Sequence, residues 1–139
     1  KLLELTHNMY TSYFYLKLQV DPSKSTTSAE CMNTWLHQPI PIDGDLMRVP
    51  GIGPKHKEHF MSCKDGKTCI KNIWCLFGFY LSIKEEGVSS IEHNEGFFVW
   101  LKENQGIKDH RHSIVEAVAS RMEMHFPGFY DAKYYMDQK

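Results

Sequence analysis

Val49-Pro50-Gly51-Ile52-Gly53-Pro54-Lys55 is the stretch on which the reading of this chain turns. An apolar–Gly–apolar–Gly turn between two helical patterns predicts a helix-hairpin-helix. The glycines permit positive φ and carry no Cβ, so the hairpin backbone can approach another surface closely. Ile52, between them, is expected to tuck inward and pin the two arms. Pro54 falls where a first helical position tolerates proline, because its missing N–H would have no partner anyway. The N–H groups of the hairpin and of that helix then point outward as an anion site suited to phosphate. Lys55 and Lys57 add charge beside it. Such contacts go to a nucleic-acid backbone and carry no sequence information.

Working outward, Asp43 is expected to cap a single turn through Leu46 and Met47. A polar helix follows the hairpin to about Met61. Lys64 to Lys67 reads as a turn around Asp65-Gly66, and Thr68 as the cap of a helix whose apolar face is Ile70, Ile73, Trp74, Phe77 and Leu81. Glu85 to Asn94 reads as a loop. A short aromatic helix carries Phe97, Phe98, Trp100 and Leu101 and stops at Gly106. A long helix from about Asp109 to Phe126 presents Ile114, Val115, Val118, Met122 and Phe126, and Pro127-Gly128 ends it. Toward the N-terminus, Leu2, Leu5, Met9, Tyr13, Leu16 and Val20 recur every three or four residues and predict a helix over Lys1 to Val20. Asp21-Pro22 ends it, Ser23 to Ser28 is a connection, and Ala29 to His37 forms a short helix closed by Pro39 and Pro41. No alternating strand pattern of useful length appears, so the expected fold is all-α. Residues 1–40 read as an N-terminal helical extension and linker, 41–126 as the main domain and 127–139 as a tail. The expected core is Trp74, Phe77, Leu81, Phe98, Leu101, Val118 and Met122.

The chain has 139 residues, enough for one compact domain. Hydrophobic residues at 42% and charged residues at 24% exclude wholesale disorder. With 16 Lys+Arg against 17 Asp+Glu, the net charge of −1 removes any global attraction for phosphate and leaves only a local basic patch. No apolar run reaches the ~20 residues of a membrane helix, so no transmembrane segment is expected. The first residue, Lys1, is not Met, which suggests a processed or trimmed chain; the expected compartment is nuclear or cytoplasmic, or an organelle if a targeting segment has been removed.

Cys31, Cys63, Cys69 and Cys75 form no CxxC pair, and five residues separate each of the last three. They read as small buried apolar residues rather than a disulfide framework. A zinc arrangement of His56, His59, Cys63 and Cys69 lacks the usual ligand spacing, so no metal or other cofactor is expected. His56, His59, His110, Arg111 and His112 read first as a solvated helix surface and second as a pH-sensitive basic patch. Asp43, Asp45, His56 and Glu58 are acid–base groups close in sequence, but without the spacing of a nucleophile–base pair or a metal nuclease, so no enzymatic activity is expected. Phe97, Phe98 and Trp100 read as core, with a partner surface as the alternative.

From Pro41 to about Phe126, roughly 85 residues, the chain resembles barrier-to-autointegration factor, a small all-helical chromatin protein family. The matching features are the hairpin Gly51-Ile52-Gly53, the helix ending Lys57-Glu58-His59-Phe60, and the helix ending Leu76-Phe77-Gly78-Phe79-Tyr80-Leu81. Gly96-Phe97-Phe98-Val99-Trp100-Leu101-Lys102 then resembles the family's Phe-x-x-Trp-Leu-Lys string, before a Gly106 turn and a long terminal helix. The resemblance implies a homodimer that binds double-stranded DNA without sequence preference and docks LEM-domain proteins. It also places phosphate contacts on Gly51, Ile52 and Gly53, with Lys55 adjacent, and a second contact at the start of the last helix, Lys108 to His112, where Lys108 and Arg111 are the candidates. The family's short basic N-terminal helix has no counterpart here. Two readings follow: a nonspecific DNA-binding, chromatin-architectural module, or a scaffold subunit that keeps the fold without DNA and docks in a larger assembly.

Overall fold

The computed structural model describes residues 18–63 and 68–138. The expected turn at 64–67 lies outside the described residues. So does the N-terminal helix, except for residues 18–20, which are not helical. The described chain is all-α, with no strand: α1 (Ala29–His37), α2 (Pro54–Met61), α3 (Ile73–Ser82), α4 (Ser90–Glu103), α5 (Arg111–His125) and α6 (Ala132–Asp137). Two single 3-10 turns, Pro22–Lys24 and Leu46–Arg48, complete it.

Short polar side chains set most helix starts by accepting otherwise unpaired first-turn N–H groups. Ser28 caps α1, Asn72 caps α3, Ser89 caps α4 and Asp131 caps α6. Two of these, and the cap of the turn before the hairpin, correct the sequence reading. Asn72, not Thr68, starts α3, because its carboxamide oxygen accepts the Cys75 N–H at 2.9 Å. The loop expected over Glu85 to Asn94 ends at Ser89, whose hydroxyl takes the Glu92 N–H, so α4 is a 14-residue helix. Asp45 rather than Asp43 caps the turn before the hairpin, accepting from the Met47 N–H at 3.0 Å.

Helix α5 is the centre of the molecule, touching α1, α3, α4 and the 22–24 turn. Ser113, Ile114, Val115, Ala117, Val118, Ala119 and Met122 are all buried along it. Phe97, Phe98, Trp100 and Leu101 of α4 are buried as expected, as are Phe77, Val118 and Met122. Trp74 is 49% exposed and Leu81 is half-buried, while Leu76 and Tyr80 take the inward positions on α3. That helix is apolar almost all round, so its periodicity does not choose a face. Phe126, expected on the inner face of α5, is exposed.

The segment before residue 41 is woven into this core, so the boundary expected at residue 40 falls inside the packed unit. The Trp35 ring is 6% exposed and donates its Nε1–H to the Ala117 carbonyl at 2.8 Å. Arg121, buried on α5, answers by donating to the Trp35 and Gln38 carbonyls at 2.5 and 3.0 Å, pairing the open C-terminal end of α1. Residues 19–26 form a strap. Glu95 accepts the Gln19 and Val20 N–H groups, His112 Nδ1 accepts that of Asp21, and Ser113 Oγ accepts that of Thr26. The tail is held too: one Glu123 carboxylate oxygen accepts three successive N–H groups, from Gly128, Phe129 and Tyr130, at 2.8–3.0 Å. Cys63 and Cys69 are joined in a disulfide, correcting the reading of both as free residues; Cys31 and Cys75 are free.

Candidate functional site

The hairpin is preceded by one 3-10 turn, not a helical arm, and followed by α2 with Pro54 in its first turn. Its two glycines have different jobs. Gly51 has φ +96°, and a Cβ there would lie 3.0 Å from Ile114 Cγ1 and Ser113 Cβ and 3.2 Å from the Ile114 nitrogen. The close backbone approach it permits is therefore to the first turn of α5. Gly53 is extended at φ −100°, and nothing lies within 4 Å of a Cβ built on it, so its outer side is open. Ile52 is buried, as expected of the residue that pins the hairpin.

His56 ties this contact together. Its Nδ1 lies 2.9 Å from the Gly51 carbonyl oxygen and its Nε2 2.8 Å from Asp109 Oδ1. Both neighbours are acceptors, so either ring nitrogen can donate to the one it faces. The bond from His56 holds the Asp109 carboxyl below its ordinary range, with smaller help from its own backbone N–H and the charges of His56 and His110. His56 is 8% exposed, which corrects its placement on a solvated helix surface. His59 and His112 are half-buried and only His110 is open to solvent. The disulfide also removes Cys63 and Cys69 from the zinc arrangement, and among the described residues no three potential ligands gather.

Two helix N-termini meet here, and they share a property. Among the described helices, α2 and α5 are the two without a side-chain cap. His110, the residue before α5, takes the left-handed conformation at φ +61° and offers no cap bond. The unpaired first-turn N–H groups of both helices, with the positive ends of both dipoles, thus lie beside one another.

The seven expected contact residues divide. Gly51, Ile52, Gly53 and Lys55 lie on the hairpin and the start of α2, and the segment bearing Lys108 and Arg111 is brought against them through His56 and Asp109. Lys55 and Lys108 are exposed and form no ion pair among the described residues. Lys57 is engaged with Asp45 at 3.1 Å. Arg111 turns inward, donating to the Phe98 carbonyl at 3.1 Å with its guanidinium 3.9 Å from the Phe98 ring centre. Burial lowers its pKa, against the charges of Glu103 and Glu95. Asp109 is the site residue that sequence reasoning missed, since nothing in the spacing of residues 53 apart marks them as partners. No protein-family model, curated protein or solved structure matches the chain.

Proposed function

We propose that the chain is a non-enzymatic module that binds double-stranded DNA without sequence preference, through the hairpin and the adjoining start of α5. The observation that carries this reading is the meeting of the two uncapped helix N-termini at Gly51 and His56, with Lys55 and Lys108 exposed nearby. Backbone N–H groups at an open helix start suit phosphate oxygens and are blind to base sequence. The resemblance to barrier-to-autointegration factor supports the same reading. With Lys57 and Arg111 engaged elsewhere, two exposed lysines remain, and the salt slope expected of them is shallow, about −2 in log K against log salt.

The test is fluorescence anisotropy of arbitrary duplexes titrated against salt. Binding of comparable strength to unrelated sequences is expected. Gly53→Glu abolishes it by setting a carboxylate at the contact, and Lys55→Ala reduces the slope by about one. No duplex affinity at ~100 mM salt in the unmutated chain overturns the reading. The second reading, a protein-interaction subunit of a larger assembly, is favoured by a specific observation: Ile42 is 99% exposed, Met47 is exposed, and half-exposed Trp74 lies against the same turn at Gly44. That apolar set suits a protein neighbour.

A further inference from the structure

A second cleft, of about 290 Å³, lies between the strap, α4 and α6. The Glu95 side chain, 1% exposed, lines it, with Tyr134, Tyr135, Ile91, Leu18 and Asp21 around it. A buried carboxylate ordinarily has a cation or a metal as partner. Glu95 forms no ion pair among the described residues. The cation whose charge reaches it, Arg111, is held on the Phe98 carbonyl and ring instead. Its two oxygens accept one strap N–H each, and a carboxylate has about four lone-pair positions, so acceptor capacity remains. Burial raises its pKa, which the Gln19 and Val20 N–H bonds only partly offset.

Tyr135 is the second polar group at the cleft: it is 8% exposed, and its buried hydroxyl lies by the Asn94 side chain. Asn94, beside it, has its oxygen on the Tyr80 hydroxyl and its nitrogen on the Phe129 carbonyl. Tyr134 stands edge-on to Tyr135, with ring centres 5.3 Å apart. A buried carboxylate with no ion pair among the described residues, a buried hydroxyl and two aromatic rings around one small cleft describe the complement of an organic cation.

We propose that this cleft binds a small alkylammonium ion, with the cation against Glu95, Tyr134 and Tyr135 and the alkyl part toward Leu18 and Ile91. The test uses the full chain, titrated with n-butylammonium chloride and, at matched ionic strength, with the neutral isostere n-butanol. NMR follows the Tyr134, Tyr135 and Ile91 signals. Butylammonium is expected to shift them saturably in the millimolar range, with butanol about tenfold weaker or more. Glu95→Gln should erase the preference for the charged ligand. Because Glu95 also holds the strap, Tyr134→Leu serves as a second variant and should weaken butylammonium severalfold with the helical circular dichroism unchanged. Equal affinity for the two ligands, shifts away from the cleft, or no saturable shift overturns the proposal. So does a folded Tyr134→Leu variant with unchanged affinity. None of these readouts involves DNA.

Discussion

Alanine at each hairpin glycine separates the role of the backbone in folding from its role at a surface. At position 51 an L-residue must hold φ near +96° while its Cβ meets two side-chain atoms at 3.0 Å and the Ile114 nitrogen at 3.2 Å. The conformation costs about 1–3 kcal/mol. Forcing a methyl into packed surroundings costs about 1–3 kcal/mol more, because the first turn of α5 belongs to the core and yields little. Gly51→Ala should therefore destabilise by about 2–6 kcal/mol, a large part of the 5–15 kcal/mol typical of a domain. With a urea m value of about 2 kcal/mol per molar, the midpoint falls by about 1–3 M. Gly53→Ala, with extended backbone and open space, should stay within about 0.5 kcal/mol. Equilibrium urea unfolding followed by circular dichroism measures both. If the two variants lose equal stability, or Gly51→Ala loses less than about 1 kcal/mol, the assignment of Gly51 to the α5 contact is refuted.

Trp35→Ala should cost about 3–5 kcal/mol, because the ring is buried and its Nε1–H is bonded to Ala117; a loss below about 1 kcal/mol would mean that α1 is peripheral. Cys63→Ser should cost about 2 kcal/mol by reopening a short loop, and the loss should match that caused by a reductant in the unmutated protein. Glu123 supplies a pH test. Burial raises its pKa, but the bonds from Tyr130, Phe129 and Gly128 outweigh this and set it below its ordinary value. Its contribution is thus present above that ordinary value and is lost as pH falls through the folded one. Glu123→Gln should lower the melting temperature at pH 7, and the two melting temperatures should converge at about pH 3; a pH-independent difference would refute the charge's part in holding the tail.

The all-α class and the positions of α1, α2 and α5 were legible because proline, glycine and helical periodicity act locally. The aromatic core of α4 was legible for the same reason. Its start was misread as loop, although the Ser89-x-x-Glu92 spacing is that of a capping box. The buried face of α3 was not legible, since a helix apolar on nearly every side is oriented by its neighbours alone. Nor was the incorporation of α1: a nine-residue helix with one buried tryptophan looks like an appendage until Ala117 and Arg121 meet it. At the hairpin, the motif told where the turn is but not which glycine faces inward. The pairs His56–Asp109, Lys57–Asp45 and Arg111–Phe98 are contacts across the fold, with no trace in local spacing.

The strap is gripped by its main chain. Glu95 takes the N–H groups of Gln19 and Val20 from 76 and 75 residues away, and His112 takes that of Asp21 from 91. Every amino acid except proline supplies the same donor. The instruction that places this segment's main chain is therefore written outside it, in three distant side chains, Glu95, His112 and Ser113, and the grip itself does not read which residues it holds. Proline at 19, 20 or 21 removes a donor outright. A single substitution at Glu95 releases two donors together. Variation among natural or engineered versions of this chain should accordingly stop at 95.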